Sequence, residues 1–334
     1  MRVVRRPVLT VTLNAALDVT YRVDALSPHA SHRVGRPLER AGGKGLNVAR
    51  VLSGMGCGVV VTGFAGGATG ERLRNLLAGE GEGARDALVT VAGESRRTVA
   101  VVEEGGGATL FNEPGPTVDG REWARLCGEY RRLLPECSAV ALCGSLPPGV
   151  PPDAYATLVR AAHEQRLPVV VDASGGALRH ALTARPEIIK PNVEELAETT
   201  GLGCPYAAAR RLADGGATAV AASLGAKGLV LVAGAGGWRA EPPWELAGNP
   251  TGAGDSVVAA LLSGLVEGLA WPEVLRRAVA LSAATVLAPG AGEFDREAFR
   301  ELLPLVRVEE GVVPASFSGA RIGSRTGEEG TSCR

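Results

Sequence analysis

No window of about 18 consecutive apolar residues occurs in the 334-residue chain, so no segment reads as a membrane-spanning helix. Met1 to Arg6 is basic, but Pro7 to Leu13 is short, holds two threonines and runs into Asn14 and Asp18, which reads as a first strand and not as a signal peptide. An excess of one charge is also missing. The 35 basic and 36 acidic residues leave a net charge of −1, and no overall electrostatic case for nucleic acid or an anionic membrane as partner. The six cysteines (57, 127, 137, 143, 204 and 333) show no Cys-x-x-Cys spacing. That argues against structural zinc and for a reducing, cytoplasmic setting, while the even count leaves disulfides open. A Gly-x-Gly-x-x-Gly dinucleotide fingerprint is absent. The glycine-rich run around Lys44 is no Walker A loop either, since no Ser or Thr follows the lysine and the first glycine is missing.

Glycine, by contrast, is abundant, with 46 residues where average usage gives about 23. Together with 46% hydrophobic residues, this signals many tight turns between short elements and not disorder. The length suggests about two units at ~150 residues each. From Glu309 to Arg334 the chain turns polar and loses its apolar period, which reads as a disordered tail behind a folded unit of residues 1–308.

One stretch organises the rest: Asn249-Pro-Thr-Gly-Ala-Gly-Asp-Ser256, followed by Val257, Val258, Leu261, Leu262 and Leu265 at helical spacing. The first N–H groups of a helix have no internal partner, so Thr251 to Asp255 presents aimed donors and the positive end of a helix dipole to an anion. Glycine at 252 and 254 lets backbone and anion approach closely. Asp255 is the odd member, a negative charge where a pure anion site would have none. It makes sense as a base that takes a proton from a hydroxyl while the N–H groups hold a phosphoryl group. A glycine turn with an acidic first-turn residue is also ordinary cap chemistry, so company elsewhere in the chain has to decide.

Val8 to Leu13 is a buried-strand pattern that delivers Asn14 and Asp18 at its end, where open α/β sheets bind ligands, and Asp18 becomes a candidate to grip a polyol. Val19–Val23 and His32–Arg40 alternate in character and predict strands with a wet face, a small separate sheet. Arg40-Ala-Gly-Gly-Lys-Gly-Leu-Asn47 then opens a second helix, with Lys44 as a point charge and Asn47 as a hydrogen-bonding amide. Further strand and helix patterns follow in alternation, which predicts βαβ units and a parallel sheet. Val99–Val102 and Thr109–Phe111 flank Gly105 to Gly107 as a hairpin suited to join the small sheet. Arg96 and Arg97 at its base face opposite ways, so one at most points at a ligand. Asn192 and Glu195 stand three apart after Lys190-Pro, a spacing that suits either water held around a divalent ion or a helix capping box. Ala219–Leu224 predicts a strand ending in the Ser223 to Gly228 turn, with Leu229–Val232 returning beside it.

Together these pieces resemble the pfkB (ribokinase-like) family of carbohydrate kinases. The likeness is carried by Gly42-Gly-Lys-Gly-Leu-Asn-Val-Ala-Arg50, by Asn192-x-x-Glu195 and by Gly252-Ala-Gly-Asp255, in that order, and covers roughly residues 7 to 305. Thr12 to Asp18, Ser95-Arg96, Gly144-Ser-Leu-Pro and Asn249 to Ser256 are similar to its 1-phosphofructokinase and tagatose-6-phosphate kinase branch. The resemblance implies a three-layer α/β/α fold with a mostly parallel central sheet and a small β-sheet lid from about 18–41 and 95–112. It implies ATP-dependent phosphorylation of a ketohexose monophosphate, with Asp255 as base and Gly252, Ala253 and Gly254 as the anion hole. Asp18, Gly43, Lys44 and Asn47 would surround the sugar, with Arg33 and Arg96 near its phosphate. Asn192 and Glu195 would organise Mg²⁺, while Lys190, Ser223, Gly225, Gly228 and Ala283 would border ATP. Ala15 stands where the branch usually has proline, and Thr98 where it often has asparagine. A lid sheet with an exposed apolar face would also pair between subunits, which implies a homodimer. Two other readings remain open at this point: a kinase of an unphosphorylated sugar or nucleoside, and a sugar-phosphate sensor on the same fold.

Overall fold

The computed structural model describes residues 6–79, 84–105, 107–288 and 290–311. Strand β1 (Val8–Thr12) is followed by β2 (Ala16–Val23), β3 (Leu38–Gly42), helix α1 (Lys44–Gly54), β4 (Val59–Gly66), α2 (Gly67–Gly79), β5 (Ala84–Asp86) and β6 (Val89–Val91). Then come β7 (Arg96–Glu103), β8 (Ala108–Asn112), α3 (Gly120–Leu133), β9 (Ala139–Cys143), α4 (Ala154–Glu164), β10 (Val169–Asp172), α5 (Gly175–Leu182) and β11 (Ile188–Ile189). The last third holds α6 (Val193–Thr200), α7 (Pro205–Asp214), β12 (Ala219–Ser223), β13 (Leu229–Ala233), β14 (Gly236–Ala240), α8 (Ala253–Glu267), α9 (Trp271–Val286), α10 (Arg296–Leu302) and β15 (Val308–Glu310).

The central sheet runs β15-β14-β13-β12-β11-β10-β9-β1-β4-β5, with β6 also paired to β4. From β12 to β5 every pairing is parallel, and β13, β14 and β15 close one edge antiparallel. Parallel strands covered on both faces need apolar side chains throughout, and β1 (VLTVT) and β9 (AVALC) are buried at every position. Alternation along β1 sends Val8 to one face and Leu9 and Val11 to the other. On the first face Val8 packs in a core with Leu52 of α1, Leu73 of α2, Leu261 of α8 and Leu275 of α9. On the second, Leu9 and Val11 share a core with Leu126 of α3, Tyr155 of α4 and Leu212 of α7. Three layers result, the α/β/α arrangement that the resemblance implies.

The small sheet is separate and ordered β3-β2-β7-β8, with β2 and β7 parallel and the outer strands antiparallel. Its composition from the two predicted regions holds, but one strand lies later than expected. His32–Pro37 is mostly exposed and outside any strand, and pairing starts at Leu38 and ends at Gly42. Pro37 lacks the N–H a ladder needs, so the strand begins beyond it. The expected end of the folded unit is corrected as well. Val308–Glu310 pairs with Trp238–Ala240, placing Glu309 opposite Arg239, so the sheet extends past residue 308. The remainder of the expected tail, residues 312–334, lies outside the described residues.

Candidate active site

Five parallel strands end at one edge of the sheet, and their carboxyl ends supply the polar residues. Asn14 follows β1, Ser145 follows β9, Asp172 closes β10, Lys190 follows β11 and Ser223 closes β12. Chain order reverses around β1, whose neighbours are β4 on one side and β9 on the other. Ligands of open α/β sheets bind at such a switch point. Helices α1 and α8 both start above this edge.

Asp172 is buried, and its Oδ1 accepts from Lys44 Nζ at 3.0 Å with Lys190 Nζ at 3.5 Å. Its Oδ2 is buried without a hydrogen-bond partner. Burial works against the Lys44 charge, but the Asp172 carboxylate outweighs it and the lysine stays firmly protonated, its pKa raised. Asp255 is also buried, in the first turn of α8, and its Oδ2 accepts from Asn47 Nδ2 at 2.8 Å. Burial, with the nearby Asp172 charge, pushes Asp255 up to about 7, while Asn47, Lys44 and Lys190 pull the other way. The two glycine-rich helix starts, far apart in sequence, therefore meet at one carboxylate.

At the start of α8, Gly252 is left-handed with φ 86°, and an added Cβ would stand 2.8 Å from the Gly292 nitrogen. Only glycine fits there without strain. Thr251 N–H donates to Asn249 Oδ1 and Ala253 N–H to Pro250 O, at 3.0 and 3.1 Å. Among the hydrogen bonds of the described residues, none uses the N–H of Gly252, Gly254 or Asp255. These three are the free donors. Of the three residues expected as the anion hole, Gly252 and Gly254 keep their N–H groups unused, while Ala253 spends its own in closing the turn. Lys190 Nζ lies 3.5 Å from where a Gly254 side chain would begin, so an anion on these donors also meets an ammonium.

Two cavities flank this point. One of about 490 Å³ is lined by Ser223, Gly225, Gly228 and Ala283, four of the residues expected to border a nucleotide, together with Asn192 and Gly254; Lys190, also expected there, is not among its lining residues. The other, of about 540 Å³, is lined by Asn14, Gly43, Lys44, Arg96, Ser145 and Glu195. Arg96 Nε donates to the Asn14 carbonyl at 3.0 Å. Asp18 on β2 lies against Gly42, where a Cβ would collide with its carboxylate. Burial raises Asp18 to about 6 against the pull of Arg96, of a hydrogen bond with Thr98, and of Arg50 and Arg40.

Asn192 and Glu195 form a capping box on α6. Asn192 Oδ1 accepts from the Glu195 N–H at 2.7 Å, and Glu195 Oε2 from the Asn192 N–H at 2.9 Å. The ordinary reading of that spacing is realised, and the box also places one member at each cavity. Among the described residues no three His, Cys, Asp or Glu side chains converge as a metal-binding set. Arg33 sits exposed between β2 and β3 and lines neither cavity, and Asp18, Asn47, Lys190 and Asp255 also lie outside both linings. Sequence reasoning missed Asp172 as a site residue. Its signal was an acidic residue closing an otherwise apolar strand, but which cations it meets depends on strand order.

A family model described as pfkB family carbohydrate kinase matches residues 11–298. A tagatose-6-phosphate kinase from Staphylococcus epidermidis is 32% identical over 311 residues, covering 91% of this chain and 99% of that protein. A 1-phosphofructokinase from Vibrio cholerae is 36% identical over 309 residues, covering 91% and 96%. The crystal structure of phosphofructokinase-2 from Escherichia coli in complex with potassium is similar with a TM-score of 0.82 and 31% identity, over 89% of this chain and 98% of that one.

Proposed function

The chain belongs to the pfkB family of carbohydrate kinases and is a phosphotransferase of the phosphofructokinase and tagatose-6-phosphate kinase type, and within that type we propose that it converts fructose 1-phosphate to fructose 1,6-bisphosphate with Asp255 as general base. The observation that carries this reading is the 2.8 Å hydrogen bond from Asn47 to Asp255, which joins the sugar-side motif to the phosphoryl-side motif beside three unused N–H donors.

In this reading ATP occupies the cavity bordered by Ser223, Gly225, Gly228 and Ala283, and the sugar phosphate the one bordered by Gly43, Lys44 and Arg96. The sugar hydroxyl oxygen bonds to the γ-phosphorus as the bond to the β-phosphate oxygen breaks, and the hydroxyl proton passes to Asp255. A carboxylate raised to about 7 suits that task, because about half of it is ionised at neutral pH and that form is basic enough to accept a proton. The Gly252, Gly254 and Asp255 N–H groups and Lys190 receive the charge that spreads over the transferred group. Asp18 holds sugar hydroxyls, and Arg96 meets the phosphate already on the sugar, where a guanidinium makes a charge-assisted bond of ~1.5–3 kcal/mol.

Mg²⁺ brought in with ATP would supply neutralisation of the phosphate charge. Asn192 and Glu195 would hold such an ion through water, since Asn192 spends its one side-chain oxygen and Glu195 one of its two on the capping box. The small sheet acts as a lid that excludes water from the transfer. Its exposed Leu38, Leu110 and Phe111 support pairing of two copies through the lid.

A coupled assay of ADP release across fructose 1-phosphate, fructose 6-phosphate, tagatose 6-phosphate, ribose and adenosine tests the assignment. The highest kcat/KM is expected with fructose 1-phosphate. Tagatose 6-phosphate is the second reading, supported by the likeness to the tagatose-6-phosphate kinase. Turnover confined to ribose or adenosine overturns both.

A further inference from the structure

Arg50 closes the glycine-rich stretch that opens α1, one helical turn after Asn47, and no role in the reaction above falls to it. We propose that Arg50 is a positioning residue that fixes the Asn47 side-chain amide so that its NH₂ group faces the Asp255 carboxylate. This rests on the reading of Asp255 as the base.

The geometry is specific. Arg50 Nη1 donates to Asn47 Oδ1 at 3.1 Å, and the other end of that amide donates to Asp255 Oδ2 at 2.8 Å. An amide has one accepting and one donating end, whereas a guanidinium only donates and an ionised carboxylate only accepts. Turning the amide over would set its NH₂ against the guanidinium and its oxygen against the carboxylate, two repulsive contacts in place of two bonds. Arg50 therefore selects the orientation in which Asn47 supports the charged form of Asp255.

Arg50 is itself anchored. Nη2 donates to the Ala41 carbonyl at 2.8 Å, at the end of lid strand β3, and Nη1 reaches the Ala291 carbonyl at 3.3 Å. The neighbouring Gly292 passes so close that a Cβ there would lie 2.7 Å from Arg50 Nη1 and 3.1 Å from Asn47 Cα. The same loop backs the Gly252 turn, where a Cβ would meet the Gly292 nitrogen at 2.8 Å. One guanidinium thus ties the lid strand, the amide and the loop behind the donor turn into a single arrangement.

The other groups around Asp255 are Asp172 at the end of β10, which opposes its ionisation, and Lys44 of α1 and Lys190 after β11, which favour it. Cys143 at the end of β9 is kept protonated by burial. Arg50 also pulls on Asp18, a possible second source of any pH effect, and the test has to separate the two.

The test is kcat at saturating substrates as a function of pH for the wild type, Arg50→Ala, Arg50→Lys, Asn47→Ala and the Arg50→Ala/Asn47→Ala double variant. Asn47→Ala removes the donor to the ionised carboxylate, and Arg50→Ala frees the amide to turn over and accept from the protonated carboxyl; both favour the protonated form, so the acid limb should move up by ~0.5–1 pH unit in each. Arg50→Lys should fall between, since it keeps one donor. The double variant should lie no further than Asn47→Ala alone. An acid limb in Arg50→Ala that coincides with wild type overturns the proposal, and so does an equal displacement with and without Asn47, which assigns the effect to Asp18. Arg50→Met, which keeps the apolar stem, carries the same test if the alanine variant does not fold. Wild-type turnover in Asp255→Asn would instead defeat the base on which the proposal rests.

Discussion

Asn47 and Asp255 stand 208 positions apart in the chain and share a hydrogen bond of 2.8 Å within a buried site. The bond joins the first turns of α1 and α8, helices that pack on the same face of the central sheet. Much of the chemistry follows from what that contact does to one carboxylate.

Asp255→Asn should lower kcat by ~10²–10⁴ with substrate binding largely kept, because asparagine keeps the shape and cannot take the proton. Stability should respond in the opposite sense. With Asp255 raised to about 7, the folded state binds its proton more tightly than the unfolded chain does. The group therefore destabilises the fold progressively as pH rises from about 4 to about 7, and by a constant amount above. Asparagine carries no charge to bury, so the variant should gain on the order of 1–4 kcal/mol relative to wild type on going from pH 4 to pH 8. Urea unfolding of both proteins at the two pH values measures it, and a stability difference that does not change with pH would contradict a raised pKa.

Asp172→Asn removes the carboxylate shared by Lys44 and Lys190. Lys190 is buried and would be left with a charge opposite a neutral amide, whereas Lys44 is 41% exposed and can turn to water. Breaking such a pair is expected to cost on the order of 1–3 kcal/mol, with a fall in kcat as Lys190 leaves its place beside Gly254. Denaturant midpoints and steady-state rates would show it. Unchanged values for both would mean the pair holds neither the fold nor the phosphoryl site.

Arg96→Ala should raise KM for the sugar phosphate by ~10-fold or more, with a smaller effect on kcat, from the loss of one charge-assisted contact. The KM for ATP should stay near its wild-type value, since Arg96 lines only the second cavity. An unchanged sugar-phosphate KM would remove Arg96 from phosphate recognition and favour an unphosphorylated substrate.

Phe111→Glu should dissociate a lid-paired dimer. Leu110 and Phe111 are 58% and 56% exposed on β8, an edge strand of the small sheet, and a carboxylate there opposes burial against a second copy. Light scattering at matched concentration should report a dimer for the wild type and a monomer for the variant. A wild-type monomer, or a dimer unaffected by the charge, would locate association elsewhere.

Local chemistry made much of the architecture legible. Solidly apolar runs such as Val8–Thr12 and Ala139–Cys143 announce strands covered on both faces, and the glycine turns before Lys44 and Ala253 announce helix starts. Short-range rules failed where the chain met competing signals. Pro37 displaced a strand whose alternation seemed to begin at His32, and the cross-strand partners Arg239 and Glu309 drew an apparently polar tail segment into the sheet. The alanine-rich α4 passed unread because its apolar stripe is made mostly of small residues.

The sequence alone determined which residue types are available at each turn and helix start, since backbone donors, glycine freedom and apolar period are properties of neighbours along the chain. Only the tertiary structure decided that Lys44 and Lys190 share Asp172, that Asn47 reaches Asp255, and that Arg33 stays outside both cavities. Those contacts depend on the order in which parallel strands lie side by side, and that order is set by the packing of whole layers, which no short stretch of sequence encodes.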